Sequence, residues 1–191
     1  MPGRHRSNLK YVVAIPQNIE SALYQHLFKN KVEQGAFIFA RPIESSTELR
    51  IEAVDVYLIP PSGWQAQLDV YLEMTDAERA KIMKIARDRN LAVIDCHSHP
   101  GSKDNVWFSP SDRRGIREFA TYVKWKLDGK PFTAMVWGES SVDAVIWHGD
   151  FKDAQTVDEI CITGSTPISI TPRNTWSRLI PPFYFGNRYG V

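Results

Sequence analysis

Residues 92–100 read AVIDCHSHP, an apolar run that ends in two histidines spaced two apart. Residues two apart in a β-strand point to the same side, so His97 and His99 can offer two imidazoles to one metal ion. A Ser-x-x-Asp step follows at the start of a predicted helix, and its last residue, Asp112, can add a carboxylate. Two nitrogen ligands, one oxygen ligand and an open fourth position are typical of a catalytic zinc site.

The composition excludes several classes of function. The 191 residues include 23 Lys and Arg against 22 Asp and Glu, a net charge of +1, and this balance argues against a nucleic-acid partner. No apolar run approaches the roughly 20 residues that cross a bilayer, so no membrane association is expected. The two cysteines form no CxxC pair and are too few for a disulfide scaffold, which favours a reduced, cytoplasmic protein.

Hydrophobic periodicity predicts one mixed α/β domain over residues 8–150, in the order β α β β β α β α β β. The clearest predicted elements are strands at 9–15, 35–41, 48–59 and 91–96, helices at 19–29, 76–89 and 110–127, and a hairpin over 132–148. A short alternating stretch at 67–72 predicts a further strand. Residues 151–191 carry scattered aromatics and no acid after Glu159, and we expect an irregular extension that wraps the domain or binds a partner.

The residues around the histidine pair suit hydrolysis of an amide. A zinc ion lowers the pKa of water from about 15.7 to about 7. Ser109 is a candidate donor to the developing oxyanion, because it shares a helix face with Asp112 three positions later. Ser109 before Pro110 is also a typical helix N-cap, and capping does not exclude the other role. A proton-transferring carboxylate must come from elsewhere, since the nearest acids, Asp95 and Asp104, lie in a strand and a loop.

Three segments together resemble the JAMM motif of the MPN-domain zinc metalloproteases. They are EQGAFIFA at 33–40, HSHP at 97–100 and the Ser-x-x-Asp step at 109–112. In the family pattern, a Glu at the start of an early apolar strand precedes His-Ser/Thr-His-Pro and then Ser-x-x-Asp. The resemblance covers residues 8–150 and implies an MPN/JAMM fold, a cytidine-deaminase-like sheet flanked by helices.

The resemblance also implies roles for individual residues. Glu33 would be the general acid and base, His97, His99 and Asp112 would bind one catalytic zinc ion, and Ser109 would steady the tetrahedral intermediate. In better-known members the substrate is the isopeptide or peptide bond after the Gly-Gly tail of ubiquitin or a ubiquitin-like protein. The expected partners are therefore a ubiquitin-like protein or its conjugates, together with activating and conjugating enzymes where their genes are neighbours.

Other functions compete with this one. The chain resembles the stand-alone bacterial branch of the family, so a zinc peptidase acting on small peptides or on sulfur-carrier fusions is one alternative. A second is a non-enzymatic MPN scaffold, which is disfavoured because scaffolds typically lose the ligands that are all present here. A third, a DNA-repair protein, is disfavoured by the net charge of +1.

The substrate is expected to bind as an extended tail. The alternating stretch at 67–72, with Val70 at its centre, can accept such a tail as an added strand. The loop between His99 and Ser109 is longer than in the deubiquitinating members, and its Trp107 and Phe108 are candidate walls of the substrate site. Glycine near the scissile bond is favoured, because it lets the substrate backbone approach the metal closely.

Overall fold

A mixed sheet of nine strands, with helices against both faces, forms the centre of the computed structural model, which describes residues 9–68, 71–150 and 152–176. Its strands and those of a smaller sheet are β1 (Lys10–Pro16), β2 (Gly35–Glu44), β3 (Glu48–Leu58), β4 (Trp64–Leu68), β5 (Tyr71–Met74), β6 (Ala92–Ser98), β7 (Phe132–Trp137), β8 (Val142–Trp147), β9 (Gln155–Thr156), β10 (Glu159–Thr163) and β11 (Ile168–Ile170). The helices are α1 (Gln17–Leu27), α2 (Asp76–Asp88) and α3 (Pro110–Lys126), with a 3-10 turn at Pro61–Gly63.

Strand β6 lies inside the large sheet, whose strand order is β11-β10-β1-β3-β2-β6-β7-β8-β9. It pairs antiparallel with β2, with Gly35 opposite His97, and parallel with β7, with Val136 opposite His97. Strands β4 and β5 form a separate antiparallel pair. A strand with neighbours on both sides has little freedom to move, so β6 can hold side chains at its end in fixed positions.

Each face of the sheet carries its own apolar core. Ile38 of β2 packs with Leu23 on the α1 side, whereas the next residue along the strand, Phe39, packs with Ile116 on the side of α2 and α3. Central strands covered on both faces read as continuous apolar runs, and this is the pattern that predicted β2 and β6 from the sequence. The mixed α/β class predicted from the sequence is confirmed.

The starts of the helices follow from their caps. Thr75 accepts a hydrogen bond from the backbone N–H of Glu78 at the start of α2. Helix α1 differs from the predicted range of 19–29, because it begins directly after Pro16, without a side-chain cap, and ends at Leu27. Among the described residues, no helix combines the length and apolar character needed to cross a membrane.

The predicted strand at 67–72 is wrong in detail. Strand β4 ends at Leu68, β5 begins at Tyr71, and the two pair antiparallel as a hairpin. The alternation that suggested one strand therefore spans the end of one strand and the start of the next. Val70, the predicted centre of the substrate strand, lies outside the described residues.

The predicted irregular extension after residue 150 is wrong for the part of it that the structure describes. Strand β10 pairs in parallel with β1, with Ile160 opposite Val13, and both residues are fully buried. Strands β9 and β11 join the same sheet, so the predicted boundary at residue 150 falls within one sheet. Strand β10 was not predicted because five residues give only a weak pattern, and its partner β1 lies far away in the sequence.

Candidate metal centre and groove

The end of β6 brings two imidazoles to one place. His97 is buried and is fixed by the backbone pairing of β6 with β2 and β7. His99 follows directly after the strand, and its backbone N–H donates to the carbonyl oxygen of Trp137 at 2.9 Å. The ring centroids of the two histidines are 5.1 Å apart. Sheet hydrogen bonding thus sets both histidines where the sequence predicted them.

Helix α3 supplies the carboxylate through its N-terminal cap. The N–H of Ser109 donates to Oδ2 of Asp112 at 2.6 Å, and the N–H of Asp112 donates to Oγ of Ser109 at 3.1 Å. The same Oδ2 atom lies 3.5 Å from Nε2 of His97 and 3.3 Å from Nε2 of His99. Ligand atoms of the three residues all lie within 4.8 Å of one another, so this group could hold a metal ion.

An unpaired nitrogen supports that capacity. Nε2 of His97 is buried and has no hydrogen-bond partner. Leaving a buried polar atom unsatisfied costs about 1–3 kcal/mol, a penalty that a coordinated cation would remove. The atom faces the carboxylate of Asp112, which lies just beyond ordinary hydrogen-bond distance. The donor set of two imidazoles and one carboxylate therefore fits a divalent metal.

The charges of the cluster are strongly coupled. Burial lowers the pKa of His97, but the opposing charge of Asp112 outweighs it and raises the pKa to about 9. Burial acts against the ionised form of Asp112, yet the nearby His97 holds the pKa of that carboxyl well below its usual range. The pKa of His99 is lowered, mainly by burial. A cation that binds here therefore displaces a proton from the cluster.

Glu33 lies beside the cluster, in the turn before β2. It is only 6% exposed, and its Oε1 is 3.5 Å from Nε2 of His99. Ser98, which lies between the two histidines, holds the segment that contains Glu33 in place. Its Oγ accepts a hydrogen bond from the N–H of Gln34 at 3.0 Å, and its own N–H donates to the carbonyl oxygen of Gln34 at 3.0 Å. Ser98 Oγ also donates to the carbonyl of Leu27 at 2.9 Å. This role of Ser98 was not predicted from the sequence.

Ser109 serves first as the N-cap of α3. Its Oγ accepts from the N–H of Asp112 and lies 2.8 Å from Oγ of Ser111. A hydroxyl that accepts one hydrogen bond still has its own proton to donate. The helix cap is therefore confirmed, and the oxyanion role of Ser109 stays a prediction.

A cavity of about 440 Å³ leads away from the cluster. Strand β5 forms one wall, one face of α3 forms the other, and Arg79 of α2 also lines it. Gly115 leaves a gap in the α3 wall, since a Cβ added there would meet no atom within 4 Å. Glu33, His97 and Asp112 also line this cavity, referred to below as the groove, so it reaches the candidate metal ligands.

The predicted substrate walls have different outcomes. Phe108 is fully buried and packs toward the ring of His97 with a centroid distance of 6.1 Å. It offers no surface to a substrate, so that prediction is wrong, and the buried Val106 two positions earlier shows the alternation that could have revealed it. Trp107 is half-buried and is not among the residues that line the groove, so its role stays a prediction.

Two groove residues were not assigned a role from the sequence. Asp95 lies two positions before His97, on the same side of β6, and lines the groove. Its burial raises the pKa of its carboxyl to about 6. No pattern in the sequence around Gly115 indicates a role, because this residue contributes only the open space left by its missing side chain. The alternation of side chains along β6 predicts that Asp95 and His97 share one face of the strand. That α3 lies against this face can be seen only in the folded structure.

No family model matches the chain, and no curated protein shows significant similarity to it. Among solved structures, the chain is similar to the solution structure of protein DSY2949 from Desulfitobacterium hafniense, with 12% sequence identity and a TM-score of 0.50. The similarity covers 79% of this chain and 92% of that chain. At this identity it shows the fold alone, a mixed α/β domain in which helices flank a large sheet.

Proposed function

We propose that this chain is a zinc peptidase of the JAMM/MPN type, which hydrolyses the isopeptide or peptide bond after the C-terminal tail of a ubiquitin-like protein. One observation carries the proposal: the carboxylate of Glu33 lies 3.5 Å from His99, at the edge of a three-residue cluster that could hold a metal. The proposal is supported by a candidate proton carrier that lies beside the candidate metal ligands and lines the same cavity as His97 and Asp112.

The donor set favours zinc as the resident metal. His97, His99 and Asp112 would hold it through two nitrogens and one oxygen, with a position left for water or substrate. When bound, zinc lowers the pKa of water toward about 7 and polarises a carbonyl oxygen. The protein holds the donors ready through the sheet pairing of β6 and the capping box of α3.

Glu33 would move the proton. Its low exposure keeps bulk water from competing, and its turn is tied to the central strand through Ser98. In the reaction its carboxylate accepts a proton from the attacking water and delivers it to the leaving amine, a contribution of about 10²–10⁴-fold. The Ser109 oxygen caps α3, and when Ser111 donates in the hydroxyl pair of Ser109 and Ser111, the Ser109 proton can turn to the developing oxyanion.

The groove suits an extended peptide tail. Among the described residues, β5 has a strand neighbour on one side only, so its other edge can accept an added strand. Apolar side chains of Leu72 and Phe119 line the groove, together with the acids Glu73 and Glu118. A glycine at the scissile bond would let the substrate backbone approach the candidate metal ligands closely.

The test combines metal content with cleavage. The purified chain is incubated with ubiquitin-like proteins fused through Gly-Gly to a reporter, and mass spectrometry locates the cut. We expect about one zinc per chain and cleavage directly after the second glycine, with activity lost on chelation and restored by zinc. A zinc-free protein that cleaves none of the fusions would contradict the proposal.

Small peptides are the second substrate class to include. A set of free peptides that carry the same Gly-Gly bond separates the two functions. Protein fusions cleaved with a higher kcat/KM than the peptides support the proposed substrate, because only the fusion offers the folded partner. Equal values would favour a general zinc peptidase.

A further inference from the structure

We propose that Trp176 is a positioning residue for the metal site, which acts on His97 through Phe108. The inference rests on the proposed metal centre and deepens it, because it brings in a segment beyond residues 8–150, where the recognised motifs lie. The segment is residues 173–176, which follows β11 and is referred to below as the clamp segment.

A series of aromatic ring contacts, referred to below as the aromatic series, connects the clamp segment to the cluster. The Trp176 ring lies 5.1 Å from that of Phe108, centroid to centroid, at an interplanar angle of 85°. Phe108 is fully buried and lies 6.1 Å from the ring of His97. On its far side, Trp176 meets Trp147 at 5.3 Å and 89°. The side of His97 that faces the core is therefore backed by two rings in series.

Hydrogen bonds hold the clamp segment in place. The carboxylate of Asp143 is fully buried and accepts the N–H of Asn174 at 2.7 Å and the N–H of Thr175 at 2.8 Å. Arg113, the neighbour of Asp112 in α3, donates from Nη2 to the carbonyl of Thr175 at 2.8 Å and from Nε to the carbonyl of Phe108 at 3.1 Å. One guanidinium thus joins the clamp segment to the residue that packs against His97.

The clamp segment also forms hydrogen bonds to the loop between His99 and Ser109. Nη2 of Arg173 donates to the side-chain oxygen of Asn105 at 2.9 Å, and Nη1 donates to the carbonyl of Asp104. The N–H of Arg173 donates to the carbonyl of Val142 at 3.2 Å, which anchors the segment to β8. The loop between His99 and Ser109 is therefore held at its middle as well as at its ends.

This arrangement has a consequence for metal affinity. Ligand atoms must stay within about 0.5 Å of the productive geometry, and groups that orient a ligand typically change metal affinity by about 10–100-fold when removed. Removing the indole of Trp176 leaves a void behind Phe108, so its ring and that of His97 can shift. The metal site then loses affinity although its three ligands are unchanged.

The experiment measures the metal site directly. The zinc dissociation constant is obtained by competition with a chromophoric chelator, and the visible spectrum of the cobalt-substituted protein reports the ligand geometry. Trp176→Ala is expected to raise the dissociation constant about 10–100-fold and to shift the cobalt bands, with Trp176→Phe less affected because a ring remains. Trp125→Ala is the matched control, since that indole is 72% exposed.

A second variant guards against simple unfolding. Arg173→Gln removes the charged hydrogen bonds to Asp104 and Asn105 and leaves the aromatic series unchanged. We expect the zinc dissociation constant of this variant to rise about threefold to tenfold. Folded Trp176→Ala and Arg173→Gln proteins with the affinity and cobalt spectrum of the unaltered chain would overturn this inference alone. An unaltered chain that binds no zinc would overturn the proposed function as well.

Discussion

The candidate metal ligands His97 and His99 lie in or directly after a central strand of the nine-stranded sheet, whereas the outer wall of the groove is the separate β4–β5 hairpin. Glu33 and His97 are 6% and 8% exposed, while Leu68 and Tyr71 of the hairpin are 58% and 44% exposed. Buried groups fixed by strand pairing can keep the sub-ångström geometry that chemistry requires. An exposed pair of strands can meet different substrates without disturbing that geometry.

The two regions are joined by a direct hydrogen bond. Nε2 of Gln67 in β4 donates to the backbone carbonyl of Glu33 at 2.8 Å. Changes at the candidate metal ligands and at Glu33 should therefore abolish or strongly slow the proposed reaction, and changes along the wall should weaken substrate binding. A change at Gln67, referred to below as the joint, should affect both kcat and KM by a small amount. The four predictions below test this division.

The largest effect is expected for the carboxylate ligand. Asp112→Asn should remove most of the bound zinc and reduce activity to background, because a neutral amide is a much weaker ligand while its oxygen can still accept from the N–H of Ser109. Elemental analysis and the cleavage assay measure the two effects. Asp88→Asn is the control, because Asp88 is an exposed acid in the last turn of α2 that does not line the groove. Unchanged zinc in Asp112→Asn would remove that residue from the ligand set.

Glu33→Gln should separate metal binding from catalysis. The amide cannot carry a proton, so kcat is expected to fall about 10²–10⁴-fold while zinc content and fold are retained. Glu73→Gln, at an acid on the opposite wall of the groove, serves as the matched control and should leave kcat nearly unchanged. If Glu33→Gln turned over substrate at the rate of the unaltered chain, another acid would carry the proton.

Substitution of Gly115 in α3 tests whether the substrate binds along the wall of the groove. Gly115→Phe should fill the groove and raise KM at least about tenfold for protein substrates with zinc content unchanged, because an added Cβ has open space in front of it. Gly115→Ala should leave KM nearly unchanged and stabilise α3 by about 1 kcal/mol. Thermal unfolding measures the second effect. A normal KM in Gly115→Phe would mean that the substrate takes another path.

The smallest effect is expected at the joint. Gln67→Leu removes the hydrogen bond to the carbonyl of Glu33, which contributes about 0.5–1.5 kcal/mol. We expect a change in kcat/KM of less than about tenfold, shared between kcat and KM. A loss as large as that of Glu33→Gln would show that the hairpin belongs to the rigid part of the site.

The elements that the sequence predicted well are those whose chemistry is local. The His-x-His pair follows the two-residue period of a strand, and the Ser109 to Asp112 step is a capping box, so four residues suffice to define it. The position of Glu33 next to His99 needed the resemblance, because it depends on the pairing of β2 with β6.

The elements that were missed depend on distant partners. Strand β10 is five residues long, and its partner β1 lies near the other end of the chain. Phe108 follows an apparently polar loop, yet it is buried because the clamp segment covers it. No window of the sequence contains both halves of such contacts, so periodicity alone could not reveal which segment covers Phe108 or which strand pairs with β10.

The pairing of β1 with β10 sets an order for folding. Val13 and Ile15 of β1 are fully buried, but one side of β1 has no hydrogen-bond partner until β10 has left the ribosome. Pairing between distant segments is slow, and an open apolar strand edge invites association between chains. During synthesis, this edge of β1 therefore stays unpaired after the candidate metal ligands have emerged, and the sheet is completed only when β10 follows.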